Sequence, residues 1–368
     1  MEFELKKVRL CELETFANSP DYKQSDVIPI SSNRIKSYVS NPRADKNDVV
    51  LYMLFDGEKL IGFRTLLADY LTWNDKTHKL AWLSGAWVRP EYRRKGIATN
   101  LYLEAKKDWA GRLMYTNYAP EAQKLLDKVQ DFNLFDSVKG IRYYFRFFTA
   151  ELLKLRHPWF AKNQAVLKSF DAIMNLVSFP VRFFQKVFIS YRLNKVITEK
   201  YGSKEIFDFI DHFPQSVFER GSKEYSWIFN YPWISQVKCD PMYYPFSSFS
   251  SVFFYRFLMV KDGQGNIEGL AIVKFRDGHV TVPYFYGNSK SNTKLARAVV
   301  GFSHGSHAKS LTIYQQAAEP CFRNLRGMAL VRKKMVQNYF ISSKFQDEFH
   351  LKQTNIALLD GDGDCIFT

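Results

Sequence analysis

Val88-Arg89-Pro90-Glu91-Tyr92-Arg93-Arg94-Lys95-Gly96-Ile97-Ala98 is the stretch from which the rest of this 368-residue chain can be read. An apolar, strand-like run (Leu80 to Val88) precedes it, and a helix-like run (Ile97 to Trp109) follows. In that helix Ala98, Leu101, Tyr102, Ala105 and Trp109 recur at helical spacing and make one apolar face. A strand, a basic turn and a helix start together form a cradle for an anion. The first backbone N–H groups of a helix have no partner within it and point outward, and the helix dipole adds partial positive charge there. Gly96 permits close backbone approach because it has no Cβ. Arg93, Arg94 and Lys95 supply formal charge.

The run resembles motif A of the GCN5-related N-acetyltransferases, the GNAT superfamily. That motif has the form Arg/Gln-x-x-Gly-x-Gly/Ala after a Val-x-Pro lead. Arg93, Gly96 and Ala98 stand at its three defined positions, and Val88 and Pro90 at the lead. The resemblance implies a site for the pyrophosphate of acetyl-CoA or another acyl-CoA, held by Arg93, Arg94, Lys95, Gly96, Ile97, Ala98 and Thr99. It also implies that Ala86, Trp87 and Val88 meet the pantetheine arm and acyl group through backbone atoms. Gly85 is placed for the bulge that would splay the strands, and Asn117 matches the Asn that opens the following region in the family.

Composition bounds the remaining possibilities. Hydrophobic residues make up 46% and aromatic residues 17%, which argues for packed cores rather than disorder. The net charge of +15 directs attention to anionic partners such as CoA, nucleic acid or an anionic membrane. No nucleic-acid-binding signature accompanies the charge, so no specific nucleic-acid partner is expected. Cys11, Cys239, Cys321 and Cys365 are scattered and lack metal-ligand spacing. His304 and His307 stand three apart with no third ligand nearby, so no metal is expected. The first residues show no signal-peptide core, and no run of about 20 apolar residues occurs. The expected location is the cytoplasm.

The order of elements extends the reading to the whole chain. Strand-like runs at 3–10, 49–55, 60–67, 80–88, 113–116 and 142–148 alternate with helical stretches at 32–39, 97–109 and 119–129. Asp56-Gly57 marks a hairpin. Residues 201–368 repeat this order with strands at 255–260, 267–275, 280–286 and 311–314 and helices at 294–304 and 319–325. The corresponding turn there, Tyr286 to Asn292, lacks the Arg-x-x-Gly-x-Ala arrangement. The expected fold is therefore α/β (α+β). Two GNAT-like mixed-sheet units are joined by a basic helical connector. The divisions are 1–150 (acyl-CoA site), 151–200 (connector) and 201–368 (degenerate unit). The connector carries nine Lys or Arg against three Asp or Glu. Phe170, Ile173, Met174 and Val177, then Phe184, Val187, Phe188 and Tyr191, form two amphipathic stretches broken at Pro180. Residues 165–195 are thus a candidate surface for a peripheral membrane contact or a dimer contact. Tyr225 to Trp233 reads as a core helix ended by Pro232. Asp360 to Asp364 reads as a polar turn, since the Glu that a calcium loop needs is missing.

Acyl transfer to an amine requires a proton acceptor for the amine, stabilisation of the oxyanion and a proton for the departing thiolate. The resemblance implies that a small-molecule or peptide amine is the acceptor, with acetyl-CoA as co-substrate. Asp69, after the hairpin strand, is a candidate base. The family's usual Tyr on the 119–129 helix is absent, so Tyr115 and Tyr118 are the candidate acids. Two other functions fit the sequence. One is a Fem-like aminoacyl transferase using charged tRNA, which the CoA-type turn disfavours. The other is a non-catalytic acyl-CoA-binding protein, which the missing helix Tyr would suit.

Overall fold

The computed structural model describes residues 3–116, 120–154, 156–191, 196–213, 216–240, 242–288, 290–314, 319–323, 325–348 and 358–368. Its strands are β1 Glu4–Arg9, β2 Val49–Asp56, β3 Lys59–Trp73, β4 Lys76–Val88, β5 Leu113–Tyr115, β6 Phe132–Tyr144, β7 Val196–Glu199, β8 Phe253–Lys261, β9 Ile267–Arg276, β10 His279–Tyr286, β11 Ser310–Ile313 and β12 Val331–Ser342. The fold is mixed α/β. The chain divides into two units, each assembled from separated segments. The first is Met1–Ser137, Ile210–Ser251 and Gln337–Thr368; the second is Val138–Phe209 and Val252–Val336. The divisions expected at 150 and 200 follow chain order, and this division does not. The strands β6 and β12 each carry the chain across from one unit to the other.

In the first unit β1, β2, β3 and β4 are antiparallel neighbours. β3 and β4 run longer than the apolar pattern suggests, pairing from Gly62 with Val88 to Trp73 with Lys76. The outer part of β4 is polar (Lys76, Thr77, His78, Lys79), so the apolar pattern fades there while pairing continues. Asn74 and Asp75, both at positive φ, close the hairpin with the mirror-image turn that suits strand twist. The Ile97–Asp108 helix then crosses over to β5, which lies parallel to β4. β5 in turn pairs antiparallel with the end of β12. The helix buries Ile97, Leu101, Tyr102 and Ala105 against Tyr52, Leu54, Leu66, Ala81 and Leu83. Ile97 rather than Ala98 anchors this face. Gly62 makes room for it, because a Cβ there would stand 2.7 Å from Ile97 Cγ2.

The second unit has the same kind of order. β7, β8, β9 and β10 are antiparallel neighbours, β10 and β11 are parallel, and β6 pairs with β11. The Asn292–Gly305 helix makes the crossover and packs Leu295, Ala296, Val299 and Val300 into the core. The basic stretch forms the Gln164–Val177 and Phe179–Tyr191 helices, broken at Ser178 with Pro180 in the first turn of the second. The expected helix near 225–233 is Ser222–Asn230, with Tyr225, Trp227 and Ile228 buried.

Candidate acyl-CoA and acceptor site

The basic turn lies where β4 leaves the sheet. After Val88 the chain makes a single 3-10 turn (Pro90–Tyr92), Arg94 adopts positive φ, and Gly96 at φ +80° precedes the first helical residue, Ile97. Nothing would crowd a Cβ at Gly96, so the glycine answers to backbone conformation alone. No side chain caps this helix start. Arg89 is committed to a bidentate pair with Asp26 at 2.9 and 2.8 Å. Glu91 is held by Lys59 at 2.9 Å, and Tyr92 bonds Asp56 at 2.6 Å. Arg93, Arg94 and Lys95 are exposed and form no ion pair with any described residue. Arg93 only donates to the Val88 carbonyl at 3.3 Å, and Lys95 sits over the Tyr92 ring. The local balance is three unneutralised cations around an uncapped helix N-terminus, an arrangement suited to a polyphosphate.

Beside the turn, β4 and β5 separate. They pair only at Ala81 with Leu113 and Trp82 with Met114. Beyond Trp82 no described residue of β5 faces β4. On its other edge β4 bulges: Gly85 lies opposite Thr65 and Leu83 opposite Leu66, which leaves Ser84 as the extra residue. The bulge falls beside Gly85, as the sequence suggests. Ala86, Trp87 and Val88 follow it, half-buried, with Trp87 stacked on Phe63. Asn117 and Tyr118 lie outside the described residues.

Asp69 is placed differently from a proton acceptor in a cleft. It is 2% exposed, and its oxygens accept from Arg43 at 2.8 Å, Arg220 at 3.0 Å, Trp82 Nε1 at 2.9 Å and the Tyr70 N–H at 2.9 Å. Burial raises its affinity for a proton, but the Arg220 and Arg43 guanidinium groups outweigh that and hold it below the usual carboxylate range. It is the centre of a buried ion cluster, not a free base. Tyr115 is likewise inside the core, 2% exposed, stacked on Phe340 and edge-on to Phe132, with burial pushing its hydroxyl up.

The structure brings in residues that the sequence left unassigned. The tail expected as a polar turn is buried: Asp360 is 8% exposed and Asp362 not at all. Gly363, at φ +82°, lies against the Trp82 ring, and its carbonyl accepts from Arg220 at 3.3 Å. The next residue, Asp364, accepts a hydrogen bond from the bulge residue Ser84. Cys365 approaches Thr116 at 3.6 Å. Phe367 stacks between Trp227 and Trp233 and explains why the tail turns inward. Below the bulge lies Arg34, 3% exposed, against the face of Trp233 and bonded to Tyr38 at 2.8 Å and Tyr244 at 3.4 Å. It has no carboxylate within ion-pair distance among the described residues. A Cβ on Gly85 would stand 2.8 Å from Thr65 Oγ1 and 3.3 Å from Arg34 Nη1. Thr65 Oγ1 is buried without a hydrogen-bond partner. The bulge thus has a carboxylate, a guanidinium and an unpartnered hydroxyl near it. Leu358, Ile366 and Phe367 flanking the acidic run were the available signal for the tail. Tyr38 four residues after Arg34 was the signal for that pair.

Asp362 makes the tail pH-sensitive. Burial pushes its carboxyl up to about 7 from 3.8, against the opposing pull of Arg220. Between these values the unfolded chain ionises while the folded chain keeps the proton, so this group subtracts stability as pH rises through the window. Asp362→Asn cannot ionise. Its melting temperature should gain on that of the parent from pH 4 to pH 7 and hold the gain above. A difference that stays flat with pH would show that Asp362 is ionised in the fold.

Residues 9–132 match the model of the Acetyltransferase (GNAT) family. The matched segment includes β4, the basic turn and the crossover helix. No curated protein matches the chain. Among solved structures the chain is similar to a probable N-acyltransferase of unknown function from Enterococcus faecalis V583 (10% identity, 94% of this chain and 74% of that one, TM-score 0.47). A GCN5-related N-acetyltransferase from Kribbella flavida gives 14% identity, 92% and 70% coverage and a TM-score of 0.45. Saccharomyces cerevisiae N-myristoyltransferase with bound myristoyl-CoA gives 10%, 92% and 82%, and 0.47.

Proposed function

We propose that the first unit is an acyl-CoA-dependent N-acyltransferase that moves an acyl group, acetyl in the simplest case, from the CoA thioester to a primary amine. The observation that carries this reading is the uncapped Ile97–Asp108 helix start, with Arg93, Arg94 and Lys95 unneutralised beside the open edge of β4. Arg93, Arg94, Lys95 and the backbone of Gly96, Ile97, Ala98 and Thr99 would hold the pyrophosphate. The backbone of Ala86, Trp87 and Val88 would align the thioester, and Asn117 is assigned to the cofactor on the resemblance alone.

In the reaction an N–C bond forms to the thioester carbonyl carbon and the C–S bond breaks. One proton leaves the amine nitrogen and one reaches the thiolate, giving amide and free CoA. Asp364, brought to the bulge by Ser84, is the carboxylate we assign to the amine proton in place of Asp69. Tyr118 remains the candidate acid. Tyr115 enters only if its hydroxyl turns from the core. The second unit lacks the basic turn, and we assign it no cofactor site.

Calorimetry with acetyl-CoA should show one site per chain, and a thiol-release assay over a panel of amines should then reveal turnover. Binding without release for any amine would leave an acyl-CoA-binding protein. Absence of binding would remove the reading altogether.

A further inference from the structure

The Gln164–Val177 and Phe179–Tyr191 helices are oriented the wrong way round for a protein surface in water. Apart from Ile189, which enters the core of the second unit, their buried residues are polar and hydrogen-bonded within that unit. Asp171 accepts from the Thr149 N–H at 2.8 Å, the Thr149 hydroxyl at 2.6 Å and the Ala150 N–H at 3.0 Å. Asn175 bonds both backbone groups of Phe147, at 3.0 and 2.8 Å, and Gln185 donates to the Gly327 carbonyl at 2.8 Å. These bonds fix the rotation of both helices about their axes. The outward residues are apolar: Ile173 is 61% exposed, Leu176 76%, Val177 67%, Phe179 57%, Phe183 53% and Phe184 70%. The most exposed cluster at the bend, where the two helices turn by 54°. A contiguous apolar surface of this kind is held out of water by a partner.

The charge beside it identifies the partner. Phe179 and Phe183 also line a cavity of about 290 Å³ whose other walls include Arg146, Arg182, Lys186 and His307. Arg146, Arg182 and Lys186 have no carboxylate within ion-pair distance among the described residues. Arg146 instead meets His307 Nδ1 at 2.9 Å, and Arg182 Nε is buried without a hydrogen-bond partner. Burial and the neighbouring Arg146 lower the proton affinity of Arg182, the mark of like charges gathered without a counter-ion. Aromatic rings at the lip of an anion-seeking pocket match the boundary between acyl chains and headgroups, where apolar and charged groups are needed within one side chain's reach. No single described helix is long and apolar enough to cross a membrane; the pair together has that length, but its polar face is hydrogen-bonded to the second unit, which leaves one apolar face to lie in the interface.

We propose that this bent helix pair docks the protein on an anionic phospholipid bilayer, with Ile173 to Phe184 entering the acyl-chain boundary and Arg146, Arg182 and Lys186 holding a headgroup phosphate. The full-length protein should co-sediment with vesicles of phosphatidylcholine mixed with phosphatidylglycerol, and far less with phosphatidylcholine alone. Phe179→Glu/Phe183→Glu should weaken binding by about tenfold or more. Arg146→Gln/Lys186→Gln should lose roughly 30-fold on mixed vesicles and little on neutral ones. Both pairs should melt with the parent, since the altered side chains of the first are exposed and a melting scan monitors the second. The proposal is overturned if mixed vesicles bind no better than neutral ones, or if neither variant changes binding. It also falls if the protein is a stable dimer that Phe179→Glu/Phe183→Glu converts to monomer, because a second copy would then cover this face.

Discussion

Gly96→Glu is expected to abolish acyl-CoA binding, lowering affinity by about 100-fold or more, which corresponds to about 2.7 kcal/mol. The substitution acts at the point where backbone N–H groups of the Ile97–Asp108 helix converge. It sets a carboxylate against the phosphates and partly neutralises Arg93, Arg94 and Lys95, none of which has another anionic partner among the described residues. Gly96→Ala separates charge from backbone strain. Its Cβ meets nothing within 4 Å, so only the left-handed conformation at φ +80° opposes it, at about 1 kcal/mol. Calorimetry should therefore place Ala close to the parent and Glu beyond detection. If both variants bind alike, the phosphates lie elsewhere.

Asp69→Asn is expected to unfold the first unit rather than merely slow a reaction. It removes the negative centre of a buried cluster and leaves the Arg43 and Arg220 side chains, 8% and 2% exposed, facing a neutral amide. Removing one partner of a buried ion pair costs about 3–5 kcal/mol, a large share of the about 5–15 kcal/mol by which a domain is stable. The pH dependence follows from the same geometry. Asp69 is held below its ordinary range, so its contribution is present above the unfolded value of 3.8 and is lost as pH falls through the lower folded value. The parent should lose more stability over that acidic interval than Asp69→Asn does, since Asp26 and Glu151, also held below their ordinary range, titrate in both. A variant that keeps the parent's melting temperature but loses turnover would restore Asp69 as a base.

Local structure was legible wherever periodicity and turn chemistry agreed. Ser32–Val39 and Val49–Asp56 follow from pattern alone, as does the Ile97–Asp108 helix with its glycine start. Reading failed where a strand's partner, not its own pattern, keeps it extended. The outer part of β4, Lys76 to Lys79, is polar, and it persists as strand because it pairs with β3. β12 begins Val331-Arg332-Lys333-Lys334, which carries no strand signal. The division into units was illegible for a related reason. Hydrophobic periodicity reports on neighbours along the chain, and the segment that completes the first unit, Gln337–Thr368, lies more than 200 residues from the rest of its strands.

The same distinction separates the two sides of the candidate site. The proposed donor side is local: a strand end, three cations, a left-handed glycine and a helix start are consecutive in sequence, so Val88 to Ala98 read as a phosphate cradle before any fold is known. The acceptor side is assembled from afar. Asp364 reaches Ser84 across 280 residues and Arg34 reaches Tyr244 across 210. Each of these side chains, taken alone, reads as an ordinary surface charge. The polarity of the connector helices is decided the same way. Sequence shows two amphipathic stretches but not which face turns inward. Asp171 and Asn175, accepting from backbone N–H groups, and Gln185, donating to a backbone carbonyl, settle that and leave the apolar face outside.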